Sequence, residues 1–271
     1  ARINPSTPSA QPMVTAKNRA PAWWARQEIS QGEKSGASEG SLPTVLMLAG
    51  TLCDARIFAR QKRALRGLAD VQLINYNNLE SVANWADRLL ARLPERFSVV
   101  GFSLGGLIAL ELLRNAPHRM ERLALLASNA QGAGRGGQRR SVRMWKAWRT
   151  KGPTAVVGQA MLDYFHHAAQ REQHSRLIHD MALGTPRKAC AAQFRWAATR
   201  PEGLTALSVF SGPLLLVSGT KDRICTLGMQ QAMVRAQPAA QWLALPRVGH
   251  FVSLEAPARL NHALRRWLVG T

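Results

Sequence analysis

The stretch Val99-Val100-Gly101-Phe102-Ser103-Leu104-Gly105-Gly106 constrains this chain more than any other. Apolar or small residues of strand length run into a serine with glycine at both second neighbours, and an apolar segment of helix length, 107–114, follows. The pattern predicts strand, sharp turn and helix, with the serine at the apex. Such a turn holds the serine backbone in left-handed geometry, so that its hydroxyl projects above the sheet. A Cβ at 101 or 105 would drive strand and helix into each other, which glycine avoids.

The rest of the chain supplies a sheet for that turn. Thr44-Val45-Leu46-Met47-Leu48-Ala49 is a continuous apolar run, the pattern of a strand buried on both faces. Residues 55–68 suit a helix, 71–76 a strand, and Ser81 is placed to cap a helix that runs to Leu93 and stops at Pro94. The serine strand at 97–102, its helix to Ala116 and a strand at 123–127 follow. Strands alternating with helices predict βαβ units and a mostly parallel, doubly wound α/β sheet. The alternation then breaks. Between Gly132 and about Leu207 the sequence predicts no strand, only a glycine-rich basic linker and helices over 141–150, 154–167, 169–183 and 186–199. A helical insertion between strands of a parallel sheet reads as a cap, and about 70 residues of short helices would have a poor core alone. Strands at 213–219 and 241–245, with helices at 227–235 and 257–268, complete the pattern. The expected organisation is a flexible tail over 1–43, with Trp23-Trp24 its one sticky point, a core over 44–131 and 208–271, and a cap over 132–207.

With 271 residues, 46% of them hydrophobic, the chain can bury a sizeable core. No run reaches the roughly 20 apolar residues of a membrane span, and residues 1–43 lack the apolar stretch of a secretory signal, so a cytoplasmic protein is expected. Cys53, Cys190 and Cys225 lack metal-ligand spacing and read as free thiols in a reducing compartment. The net charge is +20, and residues 135–205 carry 13 basic against 4 acidic side chains. Aromatic residues do not interleave with this charge in a nucleic-acid module. A solvated basic face is the simpler reading, and an acidic substrate or carrier is the functional alternative.

A serine hydroxyl near neutral pH needs a base within hydrogen-bond reach and an acid to orient that base. In open parallel sheets such groups gather at the carboxyl ends of strands. Gly219-Thr220-Lys221-Asp222 follows one late strand and Val248-Gly249-His250-Phe251 follows the next, which gives the order Ser103, Asp222, His250. His118, His166, His167, His174, His179 and His262 lie in other settings, while Asp54 and Asp180 are distant substitutes for Asp222. The Leu104 amide, opening the helix after the serine, is one expected oxyanion donor. The Thr51 amide, in the loop after the first strand, is the second, with Leu52 in reserve.

Leu48-Ala49-Gly50-Thr51-Leu52-Cys53-Asp54, Gly101-Phe102-Ser103-Leu104-Gly105-Gly106, Gly219-Thr220-Lys221-Asp222 and Gly249-His250-Phe251-Val252-Ser253-Leu254-Glu255-Ala256-Pro257 together resemble the α/β-hydrolase superfamily. Within it the pattern is similar to bacterial carboxylesterase-like members, the pimeloyl-carrier methyl ester esterases and enol-lactonases among them. The resemblance spans about 44–268, strong over the core and weak over the cap, and departs from the family at Ala49-Gly50, where many relatives have His-Gly. It implies a serine hydrolase acting on a carboxylic ester or related acyl bond through Ser103, His250 and Asp222, with no metal or organic cofactor. The expected substrate is a small ester or acyl compound, and the basic cap points to an anionic or carrier-linked one as the alternative to a neutral ester. An acyltransferase or cofactor-free perhydrolase on the same three residues remains open, as does a non-catalytic binding protein on the same scaffold.

Overall fold

The computed structural model describes residues 42–270. The expected N-terminal tail, with Trp23-Trp24, lies outside the described residues apart from its last two. Six parallel strands form one sheet: β1 (Thr44–Leu48), β2 (Asp70–Ile74), β3 (Phe97–Phe102), β4 (Met120–Leu126), β5 (Leu214–Gly219) and β6 (Gln241–Leu245), in the spatial order β2-β1-β3-β4-β5-β6. The four middle strands are the continuous apolar runs, and almost every residue in them is buried. The two edge strands carry the polar residues Asp70, Gln72 and Gln241 and are half-exposed, as strands with one covered side must be.

Helices α1 (Ala59–Ala64), α2 (Val82–Leu90) and α3 (Leu104–Asn115) connect the first strands. α3 buries nine of its residues, because all but Glu111, Arg114 and Asn115 are apolar or glycine and it sits against the middle of the sheet. The C-terminal end of α2 is held from outside. Arg119 donates to the carbonyl of Leu90, an acceptor that the helix end leaves orphaned, and to those of Leu93 and Pro94 in the turn beyond it. Between β4 and β5 the chain makes α4 (Arg135–Lys151), α5 (Pro153–Val156), α6 (Ala168–Leu183), α7 (Arg187–Thr199) and α8 (Leu204–Ser208). Beyond β5 come α9 (Leu227–Ala236), α10 (Val252–Glu255) and α11 (Pro257–Val269).

Some boundaries differ from the sequence expectation. The helix expected over 55–68 is a 3-10 turn, Ala55–Phe58, followed by the short α1. Asp54 starts the turn by accepting from the Arg56 amide, and Gly67, at φ 75°, ends the segment. Ser81 stands at the N-cap of α2 but its side chain makes no capping bond. α4 begins at Arg135, so Gly136 and Gly137 are helical. The single helix expected over 154–167 is α5, a π-turn over Val157–Met161 and a 3-10 turn over Leu162–Tyr164, the chain becoming extended at Phe165.

The sheet order reverses at β1. Its carboxyl end lies beside that of β3, with Leu48 level with Gly101, and the crevice at such a switch point is where open α/β sheets place their sites. Close approach there depends on the glycines. A Cβ on Gly101 would come within 2.6 Å of Gly106, and one on Gly105 would overlap the Leu48 carbonyl and lie 2.7 Å from the Ala49 oxygen.

Gly105→Ala is therefore expected to cost about 3 kcal/mol, because backbone on both sides would have to move. Gly134→Ala, where a Cβ meets nothing within 4 Å, is expected to stay within about 0.5 kcal/mol. Midpoints of urea unfolding compare the two. All three cysteines are buried and free, and burial is the leading cause that raises each thiol pKa, to about 12 for Cys190. Thiolate is the reactive form, so at pH 8 the native protein is expected to resist a disulfide reagent that labels all three cysteines after unfolding. Fast labelling of the native protein would contradict the burial.

Candidate active site

The turn after β3 places Ser103 at φ 51°, ψ −112°, in positive-φ geometry that a non-glycine residue holds only when its surroundings fix it. They do. The Ser103 amide donates to Leu126, and its carbonyl accepts from the amides of Gly106 and Leu107 and from the Ser128 hydroxyl. Ser128 lies just beyond β4, so the neighbouring strand supports the serine from both ends of its peptide.

The loop after β5 delivers Asp222 and the loop after β6 delivers His250. His250 Nε2 lies 2.9 Å from Ser103 Oγ, and His250 Nδ1 lies 2.8 Å from Asp222 Oδ2. Both the imidazole and the carboxylate are buried, the Asp222 side chain completely. Its second oxygen accepts from the amides of Ile224 and Cys225 at 2.7 and 3.0 Å, so the buried carboxylate is satisfied on both oxygens. His250 packs against the rings of Phe102, Tyr164 and Phe251.

The structure brings Ser103, Asp222 and His250 together and leaves the competing groups elsewhere. Asp54 is engaged with Arg56, and Asp180 pairs with Arg176 on α6. His118 sits in the turn after α3 and His262 in α11. Asp222, Cys225 and His250 also hold ligand-type atoms within 4.8 Å of one another. Their carboxylate and ring atoms are already committed to each other and to two amides, an arrangement suited to moving a proton and one a cation would have to break.

Thr51 and Leu104 line the same cavity as Ser103. Leu104 opens α3, where first-turn amides have no intrahelical acceptor. Leu52, the reserve donor, is at φ 56° and its amide donates instead to Gln193 Oε1 at 2.9 Å, a fully internal bond from α7. The Ala49 carbonyl, where the sequence departs from His-Gly, accepts from the buried Tyr76 hydroxyl at 3.0 Å.

Glu255 lies in the stretch Gly249–Pro257, and its role is set by the fold rather than by that pattern. Its carboxylate accepts from the amides of Gly249, Phe251 and His166 at 3.0, 3.2 and 2.9 Å, tying the histidine loop to the segment after Tyr164. The Tyr164 carbonyl accepts from the His250 amide at 2.8 Å. Gln193 left no signal at all, since a glutamine inside a helix predicts nothing about a loop 141 positions away.

The cavity over Ser103 measures about 560 Å³ and is lined below by the sheet loops and above by residues of the helical segment, among them Met144, Met161, Tyr164 and Phe194. A volume of this order suits a small molecule.

The profile of the alpha/beta hydrolase family matches residues 63–263. A pimeloyl-[acyl-carrier protein] methyl ester esterase of Nitrosomonas europaea is 27% identical over 194 residues, covering 66% of this chain and 74% of its own. One from Vibrio campbellii is 23% identical over 240 residues, 79% of this chain and 89% of its own. Among solved structures, a thermophilic esterase from Thermogutta terrifontis superposes with a TM-score of 0.75 at 24% identity, over 85% of this chain and 91% of that one. The enol-lactonase from Burkholderia xenovorans LB400 gives 0.74 at 20% identity, over 87% and 94%. These superpositions show a shared fold. No helix of the described residues is long and apolar enough to cross a membrane. The chain belongs to the alpha/beta hydrolase family.

Proposed function

We propose that the protein hydrolyses a carboxylic ester through an acyl-enzyme on Ser103, and the observation that carries this is the continuous Ser103–His250–Asp222 hydrogen-bond chain at the floor of a cavity. His250 donates Nδ1–H to Asp222, which leaves the Nε2 lone pair facing the serine. As Oγ attacks the carbonyl carbon, Nε2 takes its proton, and the buried carboxylate stabilises the imidazolium that forms. The tetrahedral oxyanion lies against the Thr51 and Leu104 amides, fixed before reaction begins. Collapse expels the alcohol with the proton from Nε2, and water, activated by the same nitrogen, frees the acid. Residues 132–207 act as the cap that excludes bulk water from this chemistry. The named relatives take an ester on an acyl carrier, and a carrier-linked ester falls within the same reading. Buried free thiols fit a reducing, cytoplasmic setting.

Gln193 serves as a positioning residue: by engaging the Leu52 amide it holds the preceding peptide, and with it the Thr51 N–H, in place.

Two results test these assignments. Ser103→Ala is expected to lower hydrolysis of p-nitrophenyl esters by about a thousandfold or more and to abolish labelling by a fluorophosphonate probe. A folded variant that keeps either property would refute the nucleophile. Gln193→Leu is expected to lower kcat by about tenfold with KM nearly unchanged, less than outright loss of an oxyanion donor. Gln193→Glu, which keeps the acceptor, should restore most of it. Equal losses in both variants, or a loss confined to KM, would remove the positioning role.

A further inference from the structure

Ester hydrolysis at Ser103 accounts for the floor of the cavity but not for two of its walls. Arg140, from α4, and Arg200, at the end of α7, both line it, and no Asp or Glu is among its lining residues. Neither arginine forms an ion pair among the described residues. The acid two positions beyond Arg200, Glu202, is turned to the start of α8, where it accepts from the amides of Leu204 and Thr205.

Arg200 is the more constrained of the two. Its Nε donates to the Gln131 carbonyl at 3.1 Å and its Nη1 to that of Ala197, which fixes the plane of the guanidinium and leaves Nη2 without a partner among the described residues. Burial depresses its pKa, and the like charge of Arg140 pushes the same way, so the two cations are near enough to repel. Arginine keeps its proton under such pressure. Two half-buried cations facing one cavity without a counter-charge are unfavourable alone and favourable once an anion lies between them. Met144, Met161, Phe194 and Met229 supply apolar surface to the same cavity, beside the polar side chains of Asn129, Gln131 and Ser141. That combination suits a chain of methylenes with a charge at its far end.

Resting on the ester hydrolysis proposed above, we infer that Arg140 and Arg200 form an anion subsite that selects esters whose acyl chain ends in a free carboxylate, the half-esters of dicarboxylic acids, over neutral esters of equal length. The planar fork of arginine matches a carboxylate, and desolvation inside the cavity strengthens each bond.

The test measures kcat/KM for methyl half-esters of dicarboxylic acids of increasing chain length and for neutral methyl esters of matched length, following methanol release. The wild-type enzyme is expected to prefer the half-ester by about tenfold or more at its best chain length. Arg140→Gln and Arg200→Gln should each bring that ratio towards one, while Arg200→Lys retains part of it because charge persists without the fork. Arg140 makes no hydrogen bond within the described fold, so its variant keeps the test alive if Arg200→Gln fails to fold. Calorimetry on Ser103→Ala reads binding of the half-ester against its neutral counterpart without chemistry. Half-ester binding that depends on Arg140, in an enzyme that hydrolyses neither ester, would sink the proposed reaction and leave the subsite standing. Equal binding and turnover of charged and neutral esters, or equal losses of both in the arginine variants, overturns the subsite.

Discussion

The contact on which the site depends is the near-collision of α3 with the end of β1. Gly105 leaves no room for a Cβ against the Leu48 carbonyl, and Gly101 leaves none against Gly106. That closeness makes the chain turn within one residue from β3 into α3, and the residue at the turn is Ser103, at positive φ. A serine in that geometry carries a strain of order 1–3 kcal/mol, which persists only because neighbouring structure over-determines it. Leu126 and Ser128 from the β4 side and the first turn of α3 do so. Because β1 is also the strand at which the sheet order reverses, the loop carrying Thr51 emerges beside the serine without any further device.

The helical segment between β4 and β5 is stitched to both functional loops by side chains and carbonyls of its own. Gln193 on α7 holds the Leu52 amide, and the Tyr164 carbonyl holds the His250 amide. Glu255 closes the second stitch by accepting from His166 on one side and from Gly249 and Phe251 on the other. The positions of these helices and of the His250 loop are thereby tied together by hydrogen bonds, of which the Leu52–Gln193 bond is buried, where loss of a partner costs more than at the surface. An unusual backbone segment sits in the middle of this linkage. The π-turn over Val157–Met161 rotates the chain so that Met161 and Tyr164 both reach the cavity.

What was legible in the sequence followed from strong local signals. Continuous apolar runs identify β1, β3, β4 and β5, because a parallel strand buried on both faces has no other pattern to follow. The convergence of Ser103, Asp222 and His250 was legible because each lies in the loop after a strand, and the loops at the carboxyl ends of a parallel sheet gather on one side of it. The illegible parts are those settled by partners far away in sequence. The helix expected over 154–167 breaks where the carbonyl of Tyr164 turns to meet His250, a residue more than 80 positions on. Ser81 has the right identity for a cap and makes no capping bond, which propensity cannot reveal. The Gln193 contact with Leu52 depends on the register of α7 against a loop after β1, and no periodicity encodes that register.

The charge of the chain shows the same division between amount and placement. A net charge of +20 sets a long-range field that draws anions toward the protein, and salt screens it beyond about 10 Å. Most of the basic side chains in the helical segment, such as Arg139, Arg143, Lys146 and Arg149, are exposed and solvated, so they contribute to that field without discriminating between ligands. Arg140 and Arg200 differ only in where the fold puts them, half-buried on the wall of the cavity beside apolar side chains. A surface cation gains little from meeting an anion because water already solvates both. A cation half-withdrawn from water, with its plane fixed by main-chain carbonyls, has already lost part of that solvation in the folded protein, so the free energy gained on pairing goes to the ligand.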